Sequence, residues 1–211
     1  MLFAIGFISL FLAGGISGIF LARHDLAGAA VSDEFITGHF HLVMGVAATF
    51  AILGALFFWF PKFFGRRLKE SLGKLHFWLT FAGVYLVFMP MHWLGLLTHA
   101  NLYSGSRIAA VAAMLAPIRA FITVAAILLV IAQGIFLVNF LWSLFRGEKM
   151  EERNPWRATT LEWSVPSPPP ADDFGAIDPV VYRGAYEFSV PGVAEDFVPQ
   201  HLSPEEVVKA R

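Results

Sequence analysis

The sequence of 211 residues contains no cysteine, and charged residues make up only 15% of it. Without cysteine the chain forms no disulfide and no thiolate metal site, so a bound metal would need histidine, methionine or oxygen ligands. The formal net charge of −1 offers no basic surface of the kind that binds nucleic acid, and no nucleic-acid partner is expected. The N-terminus also lacks the basic region and small-residue cleavage site of a signal peptide.

Apolar residues are what the sequence has in excess. They account for 57% of the chain, and the mean hydropathy is +0.64. This composition is typical of an integral membrane protein and not of a water-soluble domain. We predict an all-α fold with a four-helix transmembrane domain over residues 1–146 and spans at about 2–21, 35–60, 72–97 and 117–145.

The orientation of these spans follows from the loop after the second one, which is strongly basic. It carries a single acid, Glu70, against five cations: Lys62, Arg66, Arg67, Lys69 and Lys74. By the positive-inside rule this loop is cytoplasmic, and both termini are then cytoplasmic too. From Gly147 onward the apolar runs stop and prolines cluster at 166–170. Residues 147–211 are therefore predicted to form a proline-rich, extended cytoplasmic tail.

The most informative motif is His39-Phe40-His41, near the start of the second predicted span. On an α-helix, positions i and i+2 lie about 200° apart around the axis, so the two imidazoles cannot clamp one metal ion. They can instead present one imidazole to each of two sites on opposite flanks of the helix. Imidazole is the usual axial ligand of haem iron. The alternative is that each histidine only bonds a neighbouring helix, as single histidines in membrane helices often do.

Two other histidines lie in apolar segments. His76 starts the third span beside the basic loop, which favours an interfacial position. His92 follows Pro90, where a backbone carbonyl freed by the proline can be satisfied by a side chain. A structural role is therefore predicted for His92.

The sequence resembles the C-terminal part of subunit I of haem-copper cytochrome c oxidases in two runs: GHFHLVMGVAATFAILGALFFWFPKFFG and KLHFWLTFAGVYLVFMPMHWLGL. Three stretches of the tail are also similar to the end of bacterial subunit I: NPWRATTLEW, SPPP and PVVYRGAYEF. The resemblance extends from Met1 to about Gln200. It identifies the four predicted spans with the C-terminal third of the twelve-helix bundle of that family.

The resemblance implies a role for each residue of the motif. His39 would bind the high-spin haem iron that faces copper, and is thus the candidate catalytic residue. His41 would bind the low-spin haem iron, and Phe40 would lie between the two haems. The implied reaction is the reduction of O₂ to water coupled to proton translocation, with two haems expected to be a-type.

The resemblance also implies partners. The copper ligands of the family lie upstream of the matched region, so the N-terminal part of subunit I would supply them, as a separate chain or as missing sequence. Oxidase subunits II and III and an electron donor, either cytochrome c or a quinol, are the other expected partners. The implied location is the bacterial inner membrane, with lipid around the spans.

Two departures from the family pattern accompany these matches. Val31 and Ser32 stand where the family has a His-Asp pair, so no conventional magnesium or manganese site is predicted there. Asn101 and Leu102 stand in the region where the family commonly has two arginines that pair with haem propionates.

Without these two arginines the haem propionates need positive charge from another residue, because desolvated carboxylates require compensating donors. Arg119, or alternatively Arg107, is predicted to supply part of it. The competing interpretation is that Arg119 extends to the outer membrane interface.

Four other functions remain open on the sequence. A quinol oxidase, a nitric oxide reductase or a divergent oxidase paralogue would share this fold with a different donor or chemistry. A non-catalytic membrane scaffold that binds haem is an alternative of another class.

Overall fold

The computed structural model describes residues 1–23, 32–103, 108–172, 174–175 and 178–209. It contains α1 (Leu2–Ala22), α2 (Asp33–Phe40), a π-helical turn (His41–Gly45), α3 (Val46–Phe64), α4 (Glu70–Tyr103) and α5 (Ile108–Arg146). A 3₁₀ turn (Leu161–Trp163) and α6 (Pro204–Lys209) follow in the tail. The described part of the chain contains no β-strand, and the prediction of an all-helical fold is confirmed.

Among the described residues, four helices are long and apolar enough to cross a membrane. They are Leu2–Ala22, the continuous helix Asp33–Phe64 formed by α2, the π turn and α3, Glu70–Thr98 within α4, and Ala110–Arg146 within α5. The sequence placed Pro117 at the start of the last span, whereas the structure has it inside a helix that begins at Ile108. Proline is tolerated inside membrane helices because neighbouring groups can satisfy the carbonyl that it leaves free.

The chain divides into two compact units. The first comprises Met1–Phe57 and Lys69–Trp142. Its core contains eight buried apolar side chains from α1, the Asp33–Phe64 helix and α4: Phe3, Leu10, Leu42, Ala47, Phe50, Leu53, Phe77 and Val84. Their packing holds α1 and α4 against the helix that carries the two histidines of the motif.

The second unit comprises Phe58–Leu68 and Ser143–Arg211. Lys62 Nζ donates hydrogen bonds to the carbonyls of Val165 and Pro166 and lies 5.0 Å from the ring centre of Trp163. Trp163 is only 2% exposed. The buried Lys62 cation therefore holds the proline-rich segment against the end of α3. The sequence did not predict this role for Lys62.

Candidate functional site

His39 lies at the end of α2 and faces α1. Its Nδ1 atom is 3.0 Å from the Gly14 carbonyl oxygen and 3.0 Å from Ser17 Oγ. A carbonyl oxygen can only accept a hydrogen bond, so Nδ1 carries the proton and donates it to Gly14. A Cβ on residue 18 would lie 3.1 Å from His39 Cε1, so Gly18 allows the α1 backbone to approach the ring.

His41 begins the π-helical turn and faces α4. Its Nδ1 is 2.8 Å from the Thr37 carbonyl oxygen, one turn earlier in the same helix. By the same reasoning Nδ1 is the protonated nitrogen of this imidazole. The ring lies nearly parallel to that of Phe88, at 11° and with 4.7 Å between ring centres.

The two imidazoles thus lie against different neighbouring helices, as the spacing of the motif predicts. In both, Nδ1 donates to a backbone carbonyl and Nε2 has no hydrogen-bond partner within the described residues. Both side chains are half-buried. Phe40, between them in sequence, is 49% exposed and meets the His41 ring edge-on at 5.7 Å.

This donor set is compatible with the two haem irons that the family resemblance implies. Metal-ligating histidines almost always donate the second ring nitrogen to a carbonyl, carboxylate or water, which fixes the tautomer and the ring orientation. Both histidines show that arrangement, each with a neutral Nε2 lone pair available to an axial position. Within the described residues no three His, Asp or Glu side chains come close enough together to hold a metal ion by themselves.

The π-helical turn is a feature that sequence reasoning missed. It spans His41–Gly45, and the Val46 N–H donates to the His41 carbonyl, five residues back. Such turns are rare and frequently occur at functional sites. Apolar periodicity does not reveal one, because a membrane-spanning helix is apolar on all sides and carries little periodic pattern whose phase could be seen to shift.

His92 bonds a backbone carbonyl, but not the one that Pro90 leaves free, which belongs to Leu86 four residues before the proline. Its Nδ1 is 2.7 Å from the Phe88 carbonyl oxygen, and its ring meets that of Phe35 edge-on at 4.8 Å. Its Nε2 is buried with no hydrogen-bond partner among the described residues, so protein atoms and not open space surround that nitrogen.

His76 lies elsewhere than predicted. Its side chain is fully buried instead of interfacial, and Nε2 is 3.0 Å from Gln133 Oε1. The Gln133 amide nitrogen in turn donates to Thr80 Oγ1 and to the Leu129 carbonyl. Gln133, the α5 side chain that contacts His76, is 57 residues away in sequence. The position of His76 beside the basic loop therefore could not predict this partner.

Arg119 has a carboxylate partner that sequence reasoning missed. Its Nη2 is 3.3 Å from Glu34 Oε1, and Ser32 Oγ donates to Glu34 Oε2 at 2.7 Å. The Arg119 and Glu34 side chains are 46% and 30% exposed. Val31 and Arg107, and the side chains of Asn101 and Leu102, lie outside the described residues.

Residues 1–128 match the protein family described as "Cytochrome C and Quinol oxidase polypeptide I". The chain belongs to this family. It is 50% identical over 206 residues to the "alternative cytochrome c oxidase subunit 1" of Bradyrhizobium diazoefficiens, covering 97% of this chain and 35% of that protein. It is 42% identical over 190 residues to cytochrome c oxidase subunit 1 of a Synechocystis species, covering 90% of this chain and 33% of that protein.

A solved structure shares the fold of this cytochrome c and quinol oxidase family member. It is a cryo-EM structure of a heme-copper terminal oxidase dimer, with a TM-score of 0.59 and 18% sequence identity. The match covers 71% of this chain and 27% of that one. The chain is an integral membrane protein similar to the C-terminal part of subunit I, and it spans about a third of the length of the curated relatives that it matches.

Proposed function

We propose that this chain is part of the catalytic subunit I of a haem-copper terminal oxidase of the cytochrome c oxidase type. In this proposal His39 is the axial ligand of the high-spin haem iron, and His41 is the axial ligand of the low-spin one. One observation carries the proposal: two imidazoles, two residues apart, each donate Nδ1–H to a carbonyl and keep Nε2 free. The family membership of residues 1–128 supports it independently.

The chain would position the two haems and shield them from water. When bound, the two haems, of a-type in this proposal, supply the one-electron and oxygen chemistry that reduces O₂ to water. A single rigid helix holds both ligands, so the distance between the two axial positions is set by backbone geometry. Phe40 would occupy the space between the two sites, on the short route for electron transfer. Proton translocation would accompany the reaction in the complete complex.

The remaining parts of the enzyme would come from outside this stretch of sequence. Copper would be held by the N-terminal part of subunit I, on which activity would depend, and the assembly would include subunits II and III. The family description covers both cytochrome c and quinol oxidases, so either donor fits. In the bacterial inner membrane the basic loop would face the cytoplasm, as would both termini.

Replacing His41 by alanine is expected to remove the low-spin haem signal from the optical spectrum of the purified oxidase. The reason is that the iron would lose one of its two axial ligands, while the high-spin site keeps His39. Reduced-minus-oxidised spectra and the haem content per complex measure the effect.

His92→Ala is the matched control. His92 also donates Nδ1–H to a carbonyl one turn back, but its Nε2 is enclosed by protein. Both haem signals should therefore survive in His92→Ala. A low-spin signal that persists in His41→Ala would show that the assignment of this ligand is wrong.

Arg119 remains a proposed partner of a haem propionate, and its ion pair with Glu34 makes the proposal testable. The two side chains are partly exposed, so their pair alone should contribute less than about 1 kcal/mol to stability. Arg119→Ala should lower the midpoint potential of one haem, because a cation near a haem favours the reduced iron. Redox titration followed by optical absorbance would measure the shift.

Glu34→Gln separates the two roles of the arginine. It breaks the same ion pair and keeps the cation, so the haem potential should not fall. If the two variants change stability equally and neither lowers a haem potential, Arg119 serves the ion pair only.

A further inference from the structure

Ser17 lies on α1 in direct contact with the His39 imidazole. Its side chain is 8% exposed. Its hydroxyl donates to the Gly14 carbonyl at 2.7 Å, and its Oγ is 3.0 Å from His39 Nδ1. Because Nδ1 is also 3.0 Å from the Gly14 oxygen, the three polar atoms form a closed triangle.

The hydrogen atoms in this triangle can be assigned. The Gly14 oxygen has no proton, so both the imidazole N–H and the serine O–H point to it. The Ser17 oxygen then offers a lone pair to the same N–H. If the hydroxyl donated to Nδ1 instead, an unprotonated nitrogen would face the carbonyl oxygen at 3.0 Å, with lone pairs opposed.

One carbonyl therefore serves two donors. Each hydrogen bond to an oxygen draws electron density from it, so the serine proton makes the Gly14 carbonyl a weaker acceptor for the imidazole. The Thr37 carbonyl likewise serves two donors, the backbone N–H and the Nδ1–H of His41, and it is the single acceptor of that Nδ1–H within the described residues. Among the described contacts, the two ligands of the motif thus differ in that the Nδ1–H of His39 also meets a side-chain hydroxyl.

We propose that Ser17 is a positioning residue that fixes the plane of the His39 ring and tunes the hydrogen bonding of its Nδ1–H. This inference rests on the proposed function, in which His39 Nε2 binds the high-spin haem iron. Hydrogen bonds at the far nitrogen of a ligating histidine tune the metal. The Ser17 hydroxyl takes part in this tuning at one haem only. Gly18, whose missing Cβ would lie 3.1 Å from His39 Cε1, keeps the ring close to both acceptors.

The test is Ser17→Ala in the complete oxidase. Without the hydroxyl, the imidazole keeps the Gly14 carbonyl but loses its contact with Ser17 Oγ. The iron–imidazole stretching frequency of the reduced high-spin haem should shift in resonance Raman spectra, and its midpoint potential should shift in the opposite sense. The low-spin haem should keep its potential, and Ser17→Thr, which retains a hydroxyl, should keep the original values at both haems.

Ser9→Ala is the matched control. Ser9 lies on the same helix, about two turns before Ser17, and its Oγ is 2.7 Å from the Tyr85 hydroxyl oxygen. It should leave both haems unchanged. If the Ser17→Ala complex does not assemble, Ser17→Cys takes its place, because a thiol is a weaker donor of similar size, and the same two opposed shifts are expected.

Four results would overturn the inference: no difference between Ser17→Ala and Ser9→Ala, equal shifts at both haems, shifts of the stretching frequency and the potential in the same sense, or a Ser17→Thr variant that behaves like alanine. The proposed function is tested separately by His39→Ala. If that variant keeps the high-spin haem signal, the ligand assignment fails; if it loses the signal while Ser17→Ala shows no shift, only the role of Ser17 fails.

Discussion

Replacing His39 by alanine is expected to abolish oxygen reduction by the purified oxidase and ligand binding at its high-spin haem. Loss of a residue that hydrogen-bonds a metal ligand typically lowers metal affinity or activity by about 10–100-fold, so loss of the ligand itself should lower activity by more than that. The low-spin signal should remain, because His41 contacts α4 and not the Gly14–Ser17 region. Oxygen consumption and carbon monoxide difference spectra measure the two effects.

A second variant separates ligation from folding. His39→Gly leaves a gap that free imidazole can fill, bordered by the Gly14 carbonyl and Ser17 Oγ, which hold Nδ1 in the native chain. Added imidazole should therefore restore carbon monoxide binding in His39→Gly, and should do nothing for His41→Ala at the low-spin site. Full activity in His39→Ala without added imidazole would refute the assignment.

Replacing Gly14 by alanine is expected to destabilise the helix packing around the site. A Cβ at Gly14 would lie 2.6 Å from Val43 Cγ2 and 3.1 Å from the Val43 backbone nitrogen. Real Cβ atoms essentially never approach another atom to 2.6 Å, and the backbone nitrogen at 3.1 Å cannot rotate away, so α1 would have to move. Overpacking of this kind costs about 1–3 kcal/mol. The movement would also shift the carbonyl that anchors His39, so the high-spin haem spectrum should change together with thermal stability.

The neighbouring residue provides the control. Gly15 follows Gly14 on the same helix, and a Cβ there would meet no atom of the chain within 4 Å. Gly15→Ala should therefore leave thermal stability and the haem spectra unchanged, or raise stability slightly through helix propensity. Equal losses in the two variants would mean that the contact with Val43 is not the cause.

Some of the site was predictable because it depends on local chain geometry. The apolar composition determined the membrane class, and the lengths of the apolar runs predicted the four long helices that the structure contains. The spacing of His39 and His41 predicted imidazoles on different flanks, since two residues of α-helix turn the side chain through about 200°. Family resemblance, carried by long matching runs, correctly placed the chain among the oxidases.

Other features were not predictable because they depend on which residues distant in sequence come into contact. Gly14 and Ser17 are more than 20 residues from His39, and the Arg119–Glu34 pair joins residues 85 apart. The full burial of His76 and its bond to Gln133 arise in the same way, from the packing of α4 on α5.

The sequence by itself thus determined the membrane class, the helical spans and the presence of two imidazoles on one helix, because hydrophobicity and helical period are local properties. Only the tertiary structure decided which helix each imidazole faces, which carbonyl fixes its tautomer, and that Ser17 shares one of those carbonyls. Helix packing sets these contacts, and packing depends on the shapes of several segments together, including close approaches at Gly14 and Gly18.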